Sequence, residues 1–207
     1  MTKKIPKILV AVLAILVGLY PAIYFFINRK FGLLQSKSEA LLANPFWNIE
    51  FYSHIIFGGL ALLVGWTQFS AKLRARNLKL HRQVGKVYVV CALISAMAGI
   101  YIALYATGGM IPSVGFMSLG AVWFYTTLRA YMEIRKGRVD EHQKMMIYSY
   151  AACFSAVTLR IYLPILTSLF QDFTKAYMVV AWLCWIPNII VAFFIIKRLD
   201  KIEFAVR

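Results

Sequence analysis

The sequence predicts an all-α membrane protein with six transmembrane helices and both termini in the cytoplasm. Composition is the first reason: of the 207 residues, 61% are apolar and only 15% are charged. The mean hydropathy is +0.70, and an ordinary soluble domain carries about 25% charged residues. A water-soluble fold could not cover so much apolar surface with polar residues. We therefore expect the lipid bilayer to surround most of the chain.

The second reason is the length of the apolar runs. A helix needs about 20 apolar residues to cross the hydrocarbon core, and six runs meet that requirement. They are residues 8–27, 51–70, 85–106, 113–132, 144–166 and 175–196. The first run is long for a signal peptide and lacks a small-residue cleavage site, so we expect a retained helix. The sequence predicts one transmembrane domain over residues 1–207, with a four-helix core (helices two to five, residues 50–166) flanked by helices one and six.

The third reason is the distribution of the 23 Lys and Arg residues. With the N-terminus inside, the outer segments contain only Arg29, Lys30, Lys37 and Lys175, and Arg160 lies within a helix. All the other Lys and Arg residues fall on the inner side, as the positive-inside rule requires for a protein of the inner cell membrane. The net charge of +15 is thereby explained by cytoplasmic loops. Without a soluble binding module, it does not predict nucleic acid as a partner.

Arg160 is the strongest candidate for a functional residue. It lies about 16 residues into the fifth predicted helix, which places it about 24 Å from the cytoplasmic face. An unpaired Arg at membrane depth costs at least about 2.5–3.5 kcal/mol, so it should face a partner or a ligand. One interpretation is a structural contact with Glu50 or Asp172 at the outer boundary. The other is an anion or headgroup site shared with His54, which lies at a similar depth.

Few other polar groups occur in the predicted helices, and no Asp or Glu lies within the six apolar runs. Gln68 is one of these scattered polar residues, and we include it with His54 and Arg160 as a candidate ligand-binding residue. The absence of carboxylates argues against a proton-driven transporter built on a carboxylate relay. No phosphate-binding glycine loop, Ser-His-Asp set or zinc-protease motif is present, so no catalytic residue is assigned.

His81 and His142 occur at the cytoplasmic starts of the third and fifth predicted helices. A solvated position in a basic loop is one interpretation of His81. Asp140 has the character of a helix N-cap, with Glu141 and His142 in the first turn. A different interpretation is a metal site in which His81 and His142 converge with Asp140 or Glu141, as in zinc proteins.

The spacing of these residues resembles a bacterial family of predicted membrane proteins with a domain of unknown function, over about residues 50–166. The resemblance implies that these positions form one functional unit. It implies no particular activity, because none is established for the family. The residues that carry the resemblance are His54, Gly58, Gln68, Arg74, His81-Arg82, Gly85, Tyr88, Gly115-Phe116, Trp123, Glu141-His142, Met145-Met146, Ser149 and Leu159-Arg160.

The chain is also loosely similar to the six-helix cytochrome b561-type proteins, whose four core helices bind haem through histidines. That resemblance implies His81 and His142 as axial ligands of one b-type haem near the cytoplasm, with Arg82 beside a propionate. Electrons would pass to or from a quinone or a small outer reductant. The outer half of the fourth helix has no His and offers only Met117, so a second haem is not implied.

These observations leave four hypotheses for function. The first is binding or transport of a small anionic or lipid-like ligand at an outer-leaflet site formed by His54 and Arg160. The second is electron transfer through a haem, and the third is metal binding. The fourth is a structural or assembly role, for instance within an oligomer.

Overall fold

The structure, a computed structural model, describes residues 5–26 and 32–206, with side chains described for residues 8–26 and 32–201. The described residues form six helices long and apolar enough to cross a membrane. They are α1 (Ile8–Phe26), α2 (Pro45–Phe69), α3 (Leu78–Ala103), α4 (Met110–Arg135), α5 (Val139–Phe170) and α6 (Phe173–Lys201). The predicted fold class and number of helices are confirmed.

Four of these spans are not uniform α-helices. α2 consists of Pro45–Gly65 and a 3₁₀ turn, Trp66–Phe69. The helix Ile5–Leu19 continues through a 3₁₀ turn, Tyr20–Ala22, into Ile23–Phe26. α5 consists of Val139–Cys153 and Ser155–Phe170. α6 consists of Phe173–Leu183 and Ile186–Val206. The break in α6 directly precedes Pro187, whose ring nitrogen has no proton to continue the helical hydrogen bonds.

Helices α2 to α5 pack in sequence, and α5 returns to contact α2, so they form a four-helix core. α1 packs against α2 and the second half of α5, while α6 packs against α4 and α5. This is the predicted arrangement of core and flanking helices. Many large apolar side chains on the outside are exposed in the isolated chain, including Phe26, Met110 and Phe194. Lipid is the medium that such a surface requires.

We call the side of the bundle where α1 ends and α2 begins the upper side. Residues 32–43 lie there as a 3₁₀ turn, Gly32–Ser36, and a short helix, Glu39–Ala43. The opposite, lower side has the short helix Ala71–Arg76 between α2 and α3. The upper side corresponds to the outer side in the predicted orientation, which stays a prediction. Its basis includes Lys3, Lys4, Arg29, Lys30 and Arg207, which lie outside the described residues.

The predicted helix boundaries are too short at their polar ends. α2 begins at Pro45 rather than at residue 51, because Asn44 Oδ1 accepts hydrogen bonds from the Phe46 and Trp47 amides at 2.9 and 3.1 Å. α3 begins at Leu78 rather than at residue 85, because Asn77 Oδ1 accepts from the Leu80 amide at 2.9 Å. Such caps satisfy amides that a helix end leaves free. They allow a polar first turn that a hydropathy window does not count.

α4 likewise ends at Arg135 rather than at residue 132, and α5 begins at Val139 rather than at residue 144. The observed helix ends correct three interpretations. His81 lies in the first turns of α3 and not in a loop. Asp140 lies within the first turn of α5, which follows Arg138, and it is not the N-cap. The helices that cross the membrane also include Glu50 and Glu133 near their ends, whereas the shorter predicted runs contained no carboxylate.

Candidate functional site

A cavity of about 210 Å³ lies inside the upper part of the bundle. All six helices contribute to its lining, together with residues 33, 34 and 37 of the upper segment. Both His54 of α2 and Arg160 of α5 line it, as does Lys37. The structure thus brings two of the three predicted ligand-binding residues to one cavity and adds a third basic residue.

His54 is held by a reciprocal contact between α2 and α3. Its Nδ1 lies 2.9 Å from the Ser95 carbonyl oxygen, and Ser95 Oγ donates to the His54 carbonyl at 2.8 Å. A carbonyl oxygen can only accept, so Nδ1 carries a proton and donates it. The remaining ring nitrogen, Nε2, is therefore the atom of His54 that is free for a ligand in the cavity.

Two glycines make this contact possible. A Cβ atom at Gly58 would lie 2.8 Å from Ser95 Oγ, and one at Gly99 would lie 2.8 Å from His54 Nδ1. Both distances are shorter than an ordinary van der Waals contact. The absence of side chains at these positions allows α2 and α3 to approach closely enough for His54 and Ser95 to hydrogen-bond.

The direct contacts of Arg160 within the described chain are with neutral groups. Its Nη1 donates to the Ala156 carbonyl one turn earlier at 2.9 Å, and its guanidinium carbon lies 4.4 Å from the centre of the Tyr20 ring of α1. The Tyr20 contact is a cation–π interaction. Its Nε is buried and has no hydrogen-bond partner among the described residues. The guanidinium group thus keeps unused donor capacity.

Neither of the carboxylates suggested as structural partners for Arg160 forms an ion pair with it among the described residues. Asp172 instead caps α6, accepting from the Thr174 and Lys175 amides at 2.8 and 3.1 Å. Its other oxygen lies 3.7 Å from Lys175 Nζ. These amide contacts are the chief reason that the pKa of the Asp172 carboxyl is lowered. Glu50 belongs to no ion pair found within the described part of the chain.

Lys37 was predicted only as an outer-loop cation, and its place at the cavity is new. Its ammonium group donates to the Tyr105 carbonyl and to Thr107 Oγ1, the latter at 3.1 Å. Ser36 also contacts Thr107, with 2.8 Å between the hydroxyl oxygens. Burial lowers the pKa of Lys37 to about 8. No sequence pattern would have indicated this position, because it depends on how residues 32–43 fold back over the helix ends.

The electrostatic character of the cavity follows from these placements. Arg160, His54 and Lys37 are its basic groups, and no Asp or Glu belongs to the described lining. Most other lining residues are apolar or aromatic, including Phe51, Phe116 and Trp123. An apolar cavity with a few basic groups and no counter-charge is suited to an anionic or strongly hydrogen-bond-accepting ligand.

Gln68, the third predicted ligand-binding residue, lies elsewhere. It occupies the 3₁₀ turn Trp66–Phe69 at the lower end of α2, about 20 Å from His54 along the helix axis. It is buried against α3, where a Cβ atom at Gly85 would lie 3.1 Å from Gln68 Oε1. It is not one of the residues that line the cavity.

His81, Arg82 and His142 lie together on the lower side. His142 Nδ1 is 2.9 Å from the Ala130 carbonyl oxygen, so its Nε2 is left free. His81 lies within electrostatic range of both His142 and Arg82, and its buried Nδ1 has no partner among the described residues. The haem hypothesis stays a prediction. Within the described chain, no three His, Cys, Asp or Glu side chains converge as metal ligands. Glu141 instead pairs with Lys144 at 3.1 Å.

Glu133, which the sequence analysis did not single out, is fully buried at the lower end of α4. Its Oε1 lies 2.8 Å from Arg129 Nε, and its Oε2 pairs with Arg138. Both arginines are about half exposed. The carboxylate therefore ties α4 to the turn before α5. The sequence did offer a signal for this ion pair, because Glu133 is followed closely by several cations. It was missed because the predicted fourth helix ended at residue 132.

Comparison with known proteins gives one match. A family described as "Predicted membrane protein (DUF2306)" matches residues 51–196. The match begins where the resemblance was expected and continues beyond residue 166 into α6, as far as residue 196. No curated protein and no solved structure matches the chain.

Proposed function

The chain belongs to the family of predicted membrane proteins DUF2306, and we propose that it binds a small anionic or lipid-like molecule between His54 and Arg160. Release of that molecule to either side of the membrane would make the protein a transporter. We place it in the inner cell membrane with both termini in the cytoplasm, because the Lys and Arg residues alternate accordingly.

The observation that carries this proposal is the unneutralised charge of Arg160. The ion pairs of the described chain involve Arg129, Arg138, Lys144 and Lys175, and none involves Arg160. The Tyr20 ring and the Ala156 carbonyl give only partial compensation. An unpaired Arg at this depth is costly, and a ligand anion would remove that cost.

The geometry of the guanidinium group indicates how the anion would bind. Nη1 is occupied by the Ala156 carbonyl, and Nε has no partner. The edge formed by Nε and Nη2 is one that carboxylates and phosphates contact with two parallel hydrogen bonds. His54 lines the same cavity. Because its Nδ1 already donates to the Ser95 carbonyl, its Nε2 donates a second hydrogen bond to the anion when the ring is protonated. A neutral quinone could accept similar hydrogen bonds, but it would leave the positive charge uncompensated.

The test uses octanoic acid as the probe and the purified protein in detergent. We expect a saturable rise in thermal unfolding temperature with the acid, because a ligand that binds only the folded state stabilises it. Octanol, which has no charge, is expected to give no saturable rise. Arg160→Met should weaken acid binding by about tenfold to a hundredfold, since hydrogen bonds to charged groups contribute about 1.5–3 kcal/mol.

Arg135→Met is the matched control, because Arg135 is an exposed cation on the lower side, remote from the cavity. It should keep the full response to octanoic acid. His54→Ala should weaken binding without abolishing it. The proposal is wrong if Arg160→Met and His54→Ala respond to the acid as the unmodified protein does.

A further inference from the structure

The cavity changes in character along the bundle axis. Its lining on α2 runs from Trp47 near the upper end to Leu62, a distance of about 22 Å at 1.5 Å per residue. Lys37, in the segment above α2, lines the upper end of the cavity. His54 lies about halfway along this stretch of α2, and His54 and Arg160 are within electrostatic range of each other. All three basic groups therefore lie in the upper half.

Among the described residues, no charged side chain lines the lower half. It is lined by Leu62 of α2, Ala96 of α3, Trp123 of α4, and Ala152 and Cys153 of α5. These residues are almost completely buried and belong to the same hydrophobic core cluster. From His54 to Leu62 this part extends about 12 Å along α2. A small hydrophilic anion would leave it without polar partners.

We infer that the ligand is an amphiphilic acid whose anionic group lies against His54 and Arg160, below Lys37, and whose apolar chain extends down toward Leu62 and Trp123. This inference rests on the proposed function and adds the class of ligand and its orientation. The length of the lower half suits an alkyl chain of medium length. Each methylene that reaches the apolar half strengthens binding from water by about fourfold, until the chain reaches Leu62.

Two tryptophans at opposite ends of the cavity provide the test. Trp47 and Trp123 both line it, Trp47 at the top and Trp123 at the bottom. In two variants, all tryptophans except Trp47 or all except Trp123 are replaced by Phe. The probes are octanoic acid brominated at its terminal carbon and octanoic acid brominated beside the carboxyl group, because bromine quenches a tryptophan that it contacts.

We expect the terminal bromine to quench Trp123 more strongly than Trp47, and the bromine beside the carboxyl group to give the reverse. Arg160→Met should weaken both effects about tenfold to a hundredfold. Octyl bromide, which has no acid group, controls for partition into detergent and should not distinguish the two tryptophans. Equal quenching by both acids, or quenching in the reversed order, would overturn the inferred orientation.

A second measurement needs no tryptophan substitution. In the unmodified protein, affinity for straight-chain acids should rise about fourfold per methylene from butanoic acid and then level off. Acids that bind with Arg160-dependent affinity but show no dependence on chain length would refute the amphiphilic ligand and leave the proposed anion site intact. Absence of any saturable, Arg160-dependent binding would refute both.

Discussion

Substitution of Gly99 by Ala tests whether His54 is held in one position by α3. The added Cβ atom would lie 2.8 Å from His54 Nδ1 and 3.0 Å from Cε1. The ring cannot move away freely, because Nδ1 is hydrogen-bonded to the Ser95 carbonyl at 2.9 Å. The added methyl group should therefore both break this hydrogen bond and overpack the interface between α2 and α3.

The expected magnitude follows from three contributions. Loss of the hydrogen bond costs about 0.5–1.5 kcal/mol, and insertion of a methyl group into a packed interface costs about 1–3 kcal/mol. Replacement of Gly by Ala within a helix raises the free energy of unfolding by about 1 kcal/mol, because Ala has the higher helix propensity. We expect Gly99→Ala to lower the free energy of unfolding by about 0.5–3.5 kcal/mol.

The same substitution should have the opposite effect when His54 is already Ala. Without the ring, the methyl group at position 99 meets no obstacle from α2, and the helical preference of Ala remains. In that background we expect a gain of up to about 1 kcal/mol. Unfolding titrations with sodium dodecyl sulfate in mixed micelles, followed by circular dichroism, would measure the four variants of this double-mutant cycle. An equal effect of Gly99→Ala in both backgrounds would refute the account of how His54 is positioned.

Three further predictions concern other parts of the chain. Glu133→Gln should lower the free energy of unfolding by about 1–3 kcal/mol, a moderate loss because its two arginine partners can return to water; an unchanged unfolding titration would contradict it. Because burial lowers the pKa of Lys37 to about 8 from 10.5, the folded protein binds fewer protons than the unfolded chain between those values. Stability should therefore rise with pH across that window, and the rise should be smaller in Lys37→Met; equal pH profiles would contradict this. Protein purified from haem-supplied cells should show no Soret band; a band that both His81→Ala and His142→Ala abolish would support the haem hypothesis instead.

The number and location of the membrane helices could be predicted because the bilayer imposes a length on apolar runs. The helix ends could not be placed from hydropathy alone. Asn44 and Asn77 begin α2 and α3 several residues before the apolar runs, through side-chain caps that a hydropathy window does not detect. The cap at Asn77 explains why His81 was assigned to a loop. Glu133 was left outside α4 because the helix continues through polar residues to Arg135.

The association of His54 with Arg160 followed from depth, because residues at equal depth on adjacent core helices can face one interior. The structure places both in the cavity lining, while their role as ligand-binding residues stays a prediction. Gln68 was grouped with His54 and Arg160 only because it is polar. The structure places it at the lower end of α2, away from the cavity. Lys37 could not have been assigned, since its contacts with Tyr105 and Thr107 depend on the fold of the segment above the helices.

The most direct test of the central claim is a count of octanoic acid molecules bound to the purified protein. Scintillation proximity with the radiolabelled acid separates a saturable site from partition into detergent. The account predicts one molecule per chain, affinity reduced at least about tenfold in Arg160→Met, and no change in Arg135→Met. Uptake that does not saturate, or saturable binding that is identical in Arg160→Met, would contradict the claim that this cavity holds an anion.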